Sequence, residues 1–320
     1  MRTNTDGRVS PDTDLSYSPY PLSLDERRLG LRTSRIPTAL GPVTVRHGRR
    51  GSPVATILLH GAAGSWTTWT PLIQSADRFA ASPLTDLVIP DLPGWGDTPL
   101  PTDDATESIE ALAAAVADIA RALGYERWQV IGHSLGGFVA LELAASLPAH
   151  TTHVGLVSAT TYSVIESTRH PLTRFALLPG FTALLGVMRV LSAFGAGGRG
   201  LVRAMHAVGL LRPLVTPLFS HVDEIDASVV AALATEARPR SFALAADRAA
   251  LYDADLSWAR IRCSVLAVHG DRDVFVTAGD DKRMAAVIAD LGVSVLADTG
   301  HFAHVERPVS TLLAVLPAHR

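Results

Sequence analysis

Val130-Ile131-Gly132-His133-Ser134-Leu135-Gly136-Gly137 reads as a short apolar strand passing through a Gly-x-Ser-x-Gly turn into a helix. Exposing a serine hydroxyl at the end of a buried strand requires a turn so sharp that the serine backbone is strained, and Gly132 and Gly136 remove the side chains that would collide there. The spacing predicts a helix from Leu135 to about Leu147, whose N-terminus points unpaired N–H groups and the positive end of its dipole at the serine. Ser134 is thus a candidate nucleophile, and the Leu135 N–H is the donor best placed for an oxyanion forming on its substrate.

Composition limits what such a nucleophile can belong to. The 320 residues have room for a core domain and an inserted subdomain, and 48% hydrophobic with 18% charged residues is a globular composition. A net charge of −3 with no basic stripe gives no footing to a nucleic-acid partner. Cys263 is the single cysteine, so no internal disulfide framework exists, and at the start of an apolar strand it reads as a buried inert thiol. No Cys/His cluster has zinc spacing, and neither a metal nor a cofactor is expected. The polar opening residues carry no apolar signal region, which together with the lone cysteine favours a cytoplasmic location.

Working outward, residues 1–35 read as an N-terminal extension, either a frayed leader or a short helix capped by Ser23 and Glu26. Ile36 to Arg46 suggests an opening hairpin around Gly41-Pro42. Val54–Leu59, Leu87–Ile89, Trp128–Ile131, Val154–Val157, Ser264–Val268 and Val293–Leu296 are apolar runs suited to strands, and Ile109, Leu112, Val116, Ile119 and Leu123 mark an amphipathic helix ended by Gly124. This βα alternation implies a mostly parallel sheet with helices on both faces and loops of interest at its carboxyl edge.

The elbow in this strand-turn-helix setting resembles the α/β-hydrolase superfamily, an α/β fold built on an eight-stranded sheet. The loop His60-Gly61-Ala62-Ala63-Gly64-Ser65-Trp66 is similar to the family's His-Gly loop, and the resemblance implies a second oxyanion donor in the Ala62 N–H. Asp91-Leu92-Pro93-Gly94-Trp95-Gly96-Asp97 is similar to another family loop and reads as a structural turn. After Ser264–Val268, Asp273 matches the family's acid, with Asp271 the rival; Gly300-His301 with Glu306-Arg307-Pro308 resembles its histidine loop and assigns the base to His301. His60, Gly61, Trp66, His133 and Phe302 are candidate pocket residues, although His60 could instead brace its loop, and Trp66 and Trp69 could wall a pocket or pack the following helix.

Between about residues 160 and 260 the alternation stops and the text turns helical, where the family often inserts a cap. The core would then be 36–159 with 261–320. No Asp or Glu falls between Ser167 and Val222, while Arg169, Arg174, Arg189, Arg199, Arg203 and Arg212 punctuate apolar text. Arginines interrupt every run before it reaches spanning length, so no transmembrane segment is expected. Either the cap's apolar face packs on the core with the arginines solvated, or the cap meets an amphiphilic or anionic substrate or a membrane surface.

The resemblance implies acyl transfer through Ser134, His301 and Asp273, on a carboxylic ester, lactone or thioester of an apolar or amphiphilic small molecule. It also permits a C–C bond hydrolase, a haloperoxidase-like perhydrolase or a slow ligand sensor. Haloalkane dehalogenases and epoxide hydrolases of the superfamily need a carboxylate where this chain has Ser134.

Overall fold

Hydrogen bonding in the computed structural model, which describes residues 17, 19–79, 83–101, 108–170, 172 and 175–317, orders eight strands as β1-β2-β4-β3-β5-β6-β7-β8. The strands are β1 (Leu31–Thr38), β2 (Gly41–Gly48), β3 (Val54–Leu59), β4 (Leu87–Pro90), β5 (Arg127–His133), β6 (Thr151–Val157), β7 (Ser264–Gly270) and β8 (Leu291–Leu296). β2 is antiparallel to both neighbours, β1 and β4. Every pairing from β4 across to β8 is parallel.

The parallel strands need crossovers, and these cover the sheet. α1 (Thr70–Phe79) and α13 (Pro308–Val315) bury Leu72, Ile73, Leu312 and Val315 on one face with Trp69 and Leu58. α2 (Ile109–Ala122) and α3 (Leu135–Ser146) bury their apolar sides on the other face with Ile57, Val130 and Trp258. α3 is buried from Leu135 through Ala145, which its all-round apolar sequence allows. The chain leaves β3 for β4 on one side and returns to β5 on the other. Strand direction of travel therefore reverses between β3 and β5, and this switch places the loop after β3 beside the elbow after β5.

Between β6 and β7 the described residues form only helices: α4 (Tyr162–Arg169), α5 (Pro179–Ala193), α6 (Ala196–Ala207), α7 (Leu211–Val215), α8 (Ala227–Glu236), α9 (Pro239–Leu251) and α10 (Ala254–Trp258), with short 3-10 turns. After β7 come α11 (Ala278–Val287), then β8, and α12 (Ala303–Glu306) leads into α13. Among the described residues no helix is long and apolar enough to cross a membrane.

The start of the chain departs from expectation. The expected tail over residues 1–16 lies outside the described residues, but β1 begins at Leu31 rather than near Ile36, and the stretch before it is anchored. Leu22 N–H donates to Ser228 Oγ at 2.9 Å and Ser23 N–H to Thr70 Oγ1 at 2.9 Å. Tyr17 lies edge-on to His221 at 4.8 Å and donates to its carbonyl oxygen. The Ser23–Glu26 segment is a turn rather than a capped helix: the Ser23 N–H goes to Thr70 and not to Glu26, and Asp25 accepts the N–H groups of Arg27 and Arg28.

Candidate active site

Ser134 caps α3 with φ 51° and ψ −118°, a conformation that side-chain-bearing residues adopt only under constraint. The constraint is steric on both flanks. A Cβ on Gly132 would lie 2.2 Å from the Gly136 carbonyl oxygen, and one on Gly136 would lie 2.1 Å from that of Leu59. The turn is also pinned by hydrogen bonds from Ser134 N–H to Val157 O and from Thr160 N–H to Ser134 O.

His301 stands on the loop after β8. His301 Nδ1 donates to Asp273 Oδ1 at 2.9 Å and lies 3.1 Å from Oδ2, which leaves the lone pair of the neutral ring on Nε2. Asp273 is fully enclosed; burial pushes its carboxyl up, but the His301 charge and hydrogen bond and the Phe275 N–H outweigh that and hold it below its usual value. Asp271 instead accepts the Thr299 N–H at 3.2 Å, a turn contact, so the structure brings Asp273 and not its rival to His301. Neither Ser134 Oγ nor His301 Nε2 has a hydrogen-bond partner among the described residues.

The loop after β3 approaches from the switch point. Gly61 abuts the elbow so closely that a Cβ on it would meet His133 Nδ1 at 2.7 Å and Ser134 Cβ at 2.8 Å. Ala62 follows, and neither its N–H nor that of Leu135 is donated to another protein group among the described residues. Ala63 turns the loop at φ 60°.

Four of the expected pocket side chains are frame instead. His60 is wholly buried, donates Nδ1–H to Gly61 O at 2.8 Å and accepts the Leu92 N–H on Nε2 at 2.9 Å, so it stays neutral and joins two loops; burial lowers its basicity. Trp66 packs with Trp69 in the core beneath α1, and its backbone N–H donates to Asp91. His133 Nε2 donates to the His301 carbonyl at 3.0 Å. Phe302 stacks on Phe219 at 5.1 Å. Ring chemistry in a sequence does not distinguish a ligand wall from a core wall; the hydrogen-bond partners do.

Several contacts around His301 could not be read from the sequence. Glu306 accepts the Gly300 N–H at 3.0 Å and the Ser220 N–H at 2.8 Å, fastening the histidine loop to the inserted helices. His301 N–H donates to Leu218 O on the same inserted segment, and Phe275 lies edge-on to His301 at 4.6 Å. His304 is buried against Trp69 and His133, and burial with the nearby His301 charge lowers it to about 3. The Asp91 loop is structural: Arg46 bridges Asp91 and Asp97. Burial pushes the Cys263 thiol up to about 11. Among the described residues no cluster of His, Cys, Asp or Glu side chains is arranged to hold a metal ion. A cavity of about 420 Å3 opens between Gly94–Leu100, the α5–α6 turn and Arg238–Ser241, and none of Ser134, Asp273 and His301 lines it.

A model described as the alpha/beta hydrolase family matches residues 56–315, which hold the elbow, Asp273 and the histidine loop. The chain belongs to the alpha/beta hydrolase family. Within this alpha/beta hydrolase family its relatives are diverse. An uncharacterized protein of Mycobacterium tuberculosis is 32% identical over 198 residues, 58% of this chain and 55% of that one. The chain thus spans about half the length of the first curated relatives it matches. Mouse epoxide hydrolase 4 is 32% identical over 104 residues, 32% of this chain and 27% of its own. Among solved structures, a thermophilic esterase from Thermogutta terrifontis aligns with a TM-score of 0.65 at 20% identity, over 89% of this chain and 96% of the esterase. At that identity the likeness concerns the fold.

Proposed function

We propose that this alpha/beta hydrolase is a serine hydrolase that cleaves a carboxylic ester, lactone or thioester of an apolar small molecule through an acyl-enzyme on Ser134. The observation that carries the reading is the Asp273–His301 hydrogen bond, which leaves His301 Nε2 free to take a proton, together with a serine held in a strained turn at the head of α3. His301 removes the Ser134 proton as Oγ attacks the carbonyl carbon. Asp273 fixes the imidazole tautomer and stabilises the imidazolium that forms. The N–H groups of Ala62 and Leu135, already fixed in space, receive the developing oxyanion. The imidazolium then protonates the leaving alcohol or thiol, and water, deprotonated by the same ring, releases the acid and restores Ser134. Substrate binding has to bring Ser134 Oγ and Nε2 into hydrogen-bond geometry, as catalytic contacts commonly tighten on complex formation. The serine also sets this chain apart from its epoxide hydrolase relative, because an acyl-serine forms from a carbonyl substrate.

Fluorophosphonate labelling beside hydrolysis of p-nitrophenyl esters of increasing acyl length tests the reading. Wild type labels and shows a chain-length optimum, and Ser134→Ala loses labelling and about 10⁴-fold or more of turnover with the fold intact. Labelling without ester turnover would move the assignment to C–C bond hydrolysis or ligand sensing. Activity retained by a clean Ser134→Ala preparation would reject the nucleophile.

A further inference from the structure

We propose that the outer face of α5 and α6 docks on the surface of an anionic lipid bilayer. Sixteen large hydrophobic side chains stand exposed among the described residues, and ten of them fall between Leu172 and Leu214. A folded chain leaves single apolar side chains in water without consequence, but exposed ones gathered in one helical segment mark a candidate interaction surface. The group has helical order. On α5, Phe181 and Leu185 face inward, while Val187, Val190 and Phe194, at spacings of three and four, form a stripe on the opposite side, the last two 60% and 69% exposed. On α6, Gly198 and Val202 face inward, and Leu201 and Val208, seven residues apart, face out.

Charge selects the occupant. Six arginines and no carboxylate occupy Ser167–Val222. Three of the six are engaged within the fold: Arg169 with the carbonyls of Ala250 and Tyr252, Arg189 with Asp247 at 2.5 Å, and Arg212 with the carbonyls of Val222 and Ile225. Arg199 and Arg203, one turn apart on α6, are exposed and have no ion-pair partner among the described residues. Apolar side chains flanked by long cationic ones suit a helix lying in the headgroup region, with the hydrocarbon taking the apolar side chains and the guanidinium groups reaching lipid phosphates. A second copy of the same basic face would meet like charge.

The test is sedimentation of the full chain with phosphatidylcholine vesicles and with vesicles also containing phosphatidylglycerol, with light scattering on the protein alone. Binding is expected to the anionic vesicles, falling with salt, and much weaker to the neutral ones. Arg199→Gln with Arg203→Gln lowers partitioning by about fivefold per arginine. Val190→Ser with Phe194→Ser abolishes it, and because all four side chains are exposed, melting temperatures stay near wild type. No binding to either vesicle overturns the proposal, whether the protein alone is monomeric or forms a dimer that Phe194→Ser disperses. Anionic binding that survives both double variants also overturns it, since another surface would then be responsible. The result is independent of the Ser134 chemistry.

Discussion

His133 donates its Nε2–H to the backbone carbonyl of His301 at 3.0 Å, joining the residue before the proposed nucleophile to the residue proposed as base, 168 positions further on. The bond fixes the spacing between two loops that no covalent or strand contact holds together. Replacement by Phe leaves the buried carbonyl unsatisfied, with an expected loss of about 1–3 kcal/mol in stability. Turnover falls further than the loss of folded enzyme explains while KM stays nearly constant. Chemical unfolding and steady-state ester kinetics on His133→Phe check both parts.

Asp273→Asn and Asp271→Asn separate two carboxylates that lie two residues apart. Only Asp273 reaches the His301 ring, and an amide there favours the wrong tautomer, so kcat is expected to drop by about 10⁴-fold with little change in KM. Asp271→Asn retains the acceptor oxygen that the Thr299 N–H uses, and activity within about tenfold of wild type is expected. Parallel kinetics on the two variants decide between them.

Gly61→Ala introduces one methyl group into a gap already closed by His133 Nδ1 and Ser134 Cβ. Something must shift, and both neighbours are part of the elbow. A stability loss of about 1–3 kcal/mol is expected, with slower acylation by fluorophosphonate, since the Ala62 N–H moves with its neighbour. Unchanged labelling kinetics would remove the loop after β3 from the oxyanion site.

His304 makes the stability depend on acidity in one direction. Its folded value of about 3 lies below the ordinary 6.5, so the unfolded chain binds a proton that the folded chain refuses. Stability is complete above about 6.5 and declines as pH falls from there toward about 3, by about 1.4 kcal/mol per pH unit at most from this ring. His133 shifts in the same direction and steepens the decline. Urea unfolding across this window should give His304→Leu a shallower slope than wild type, whatever the substitution costs at neutral pH.

What was legible in the sequence is what local pattern dictates. The elbow, the hairpin and the apolar strands each announce themselves over a few residues, because a buried parallel strand such as β3 or β5 must be apolar and a tight strand-to-helix turn must be small on both sides of the serine. The choice of Asp273 over Asp271 needed the family resemblance, and the structure gives its reason in the reach to His301. Roles set by distant partners were not legible. His60 and Trp66 offer the chemistry of a ligand wall, yet their partners, Leu92 and Asp91, lie more than twenty residues away in sequence. Glu306 was quoted only as part of a pattern; its work on Ser220 is visible only once the inserted helices fold back over the histidine loop.

The bond from Leu22 to Ser228 joins residues 206 positions apart. On a ribosome the front of the chain emerges long before its partner exists, so this seam closes only after the inserted helices have been made and folded. Leu22 then sits in one apolar cluster with Phe219 and Phe302, immediately beside His301. Removing the chain through Leu22 therefore takes away part of the packing that covers the histidine loop.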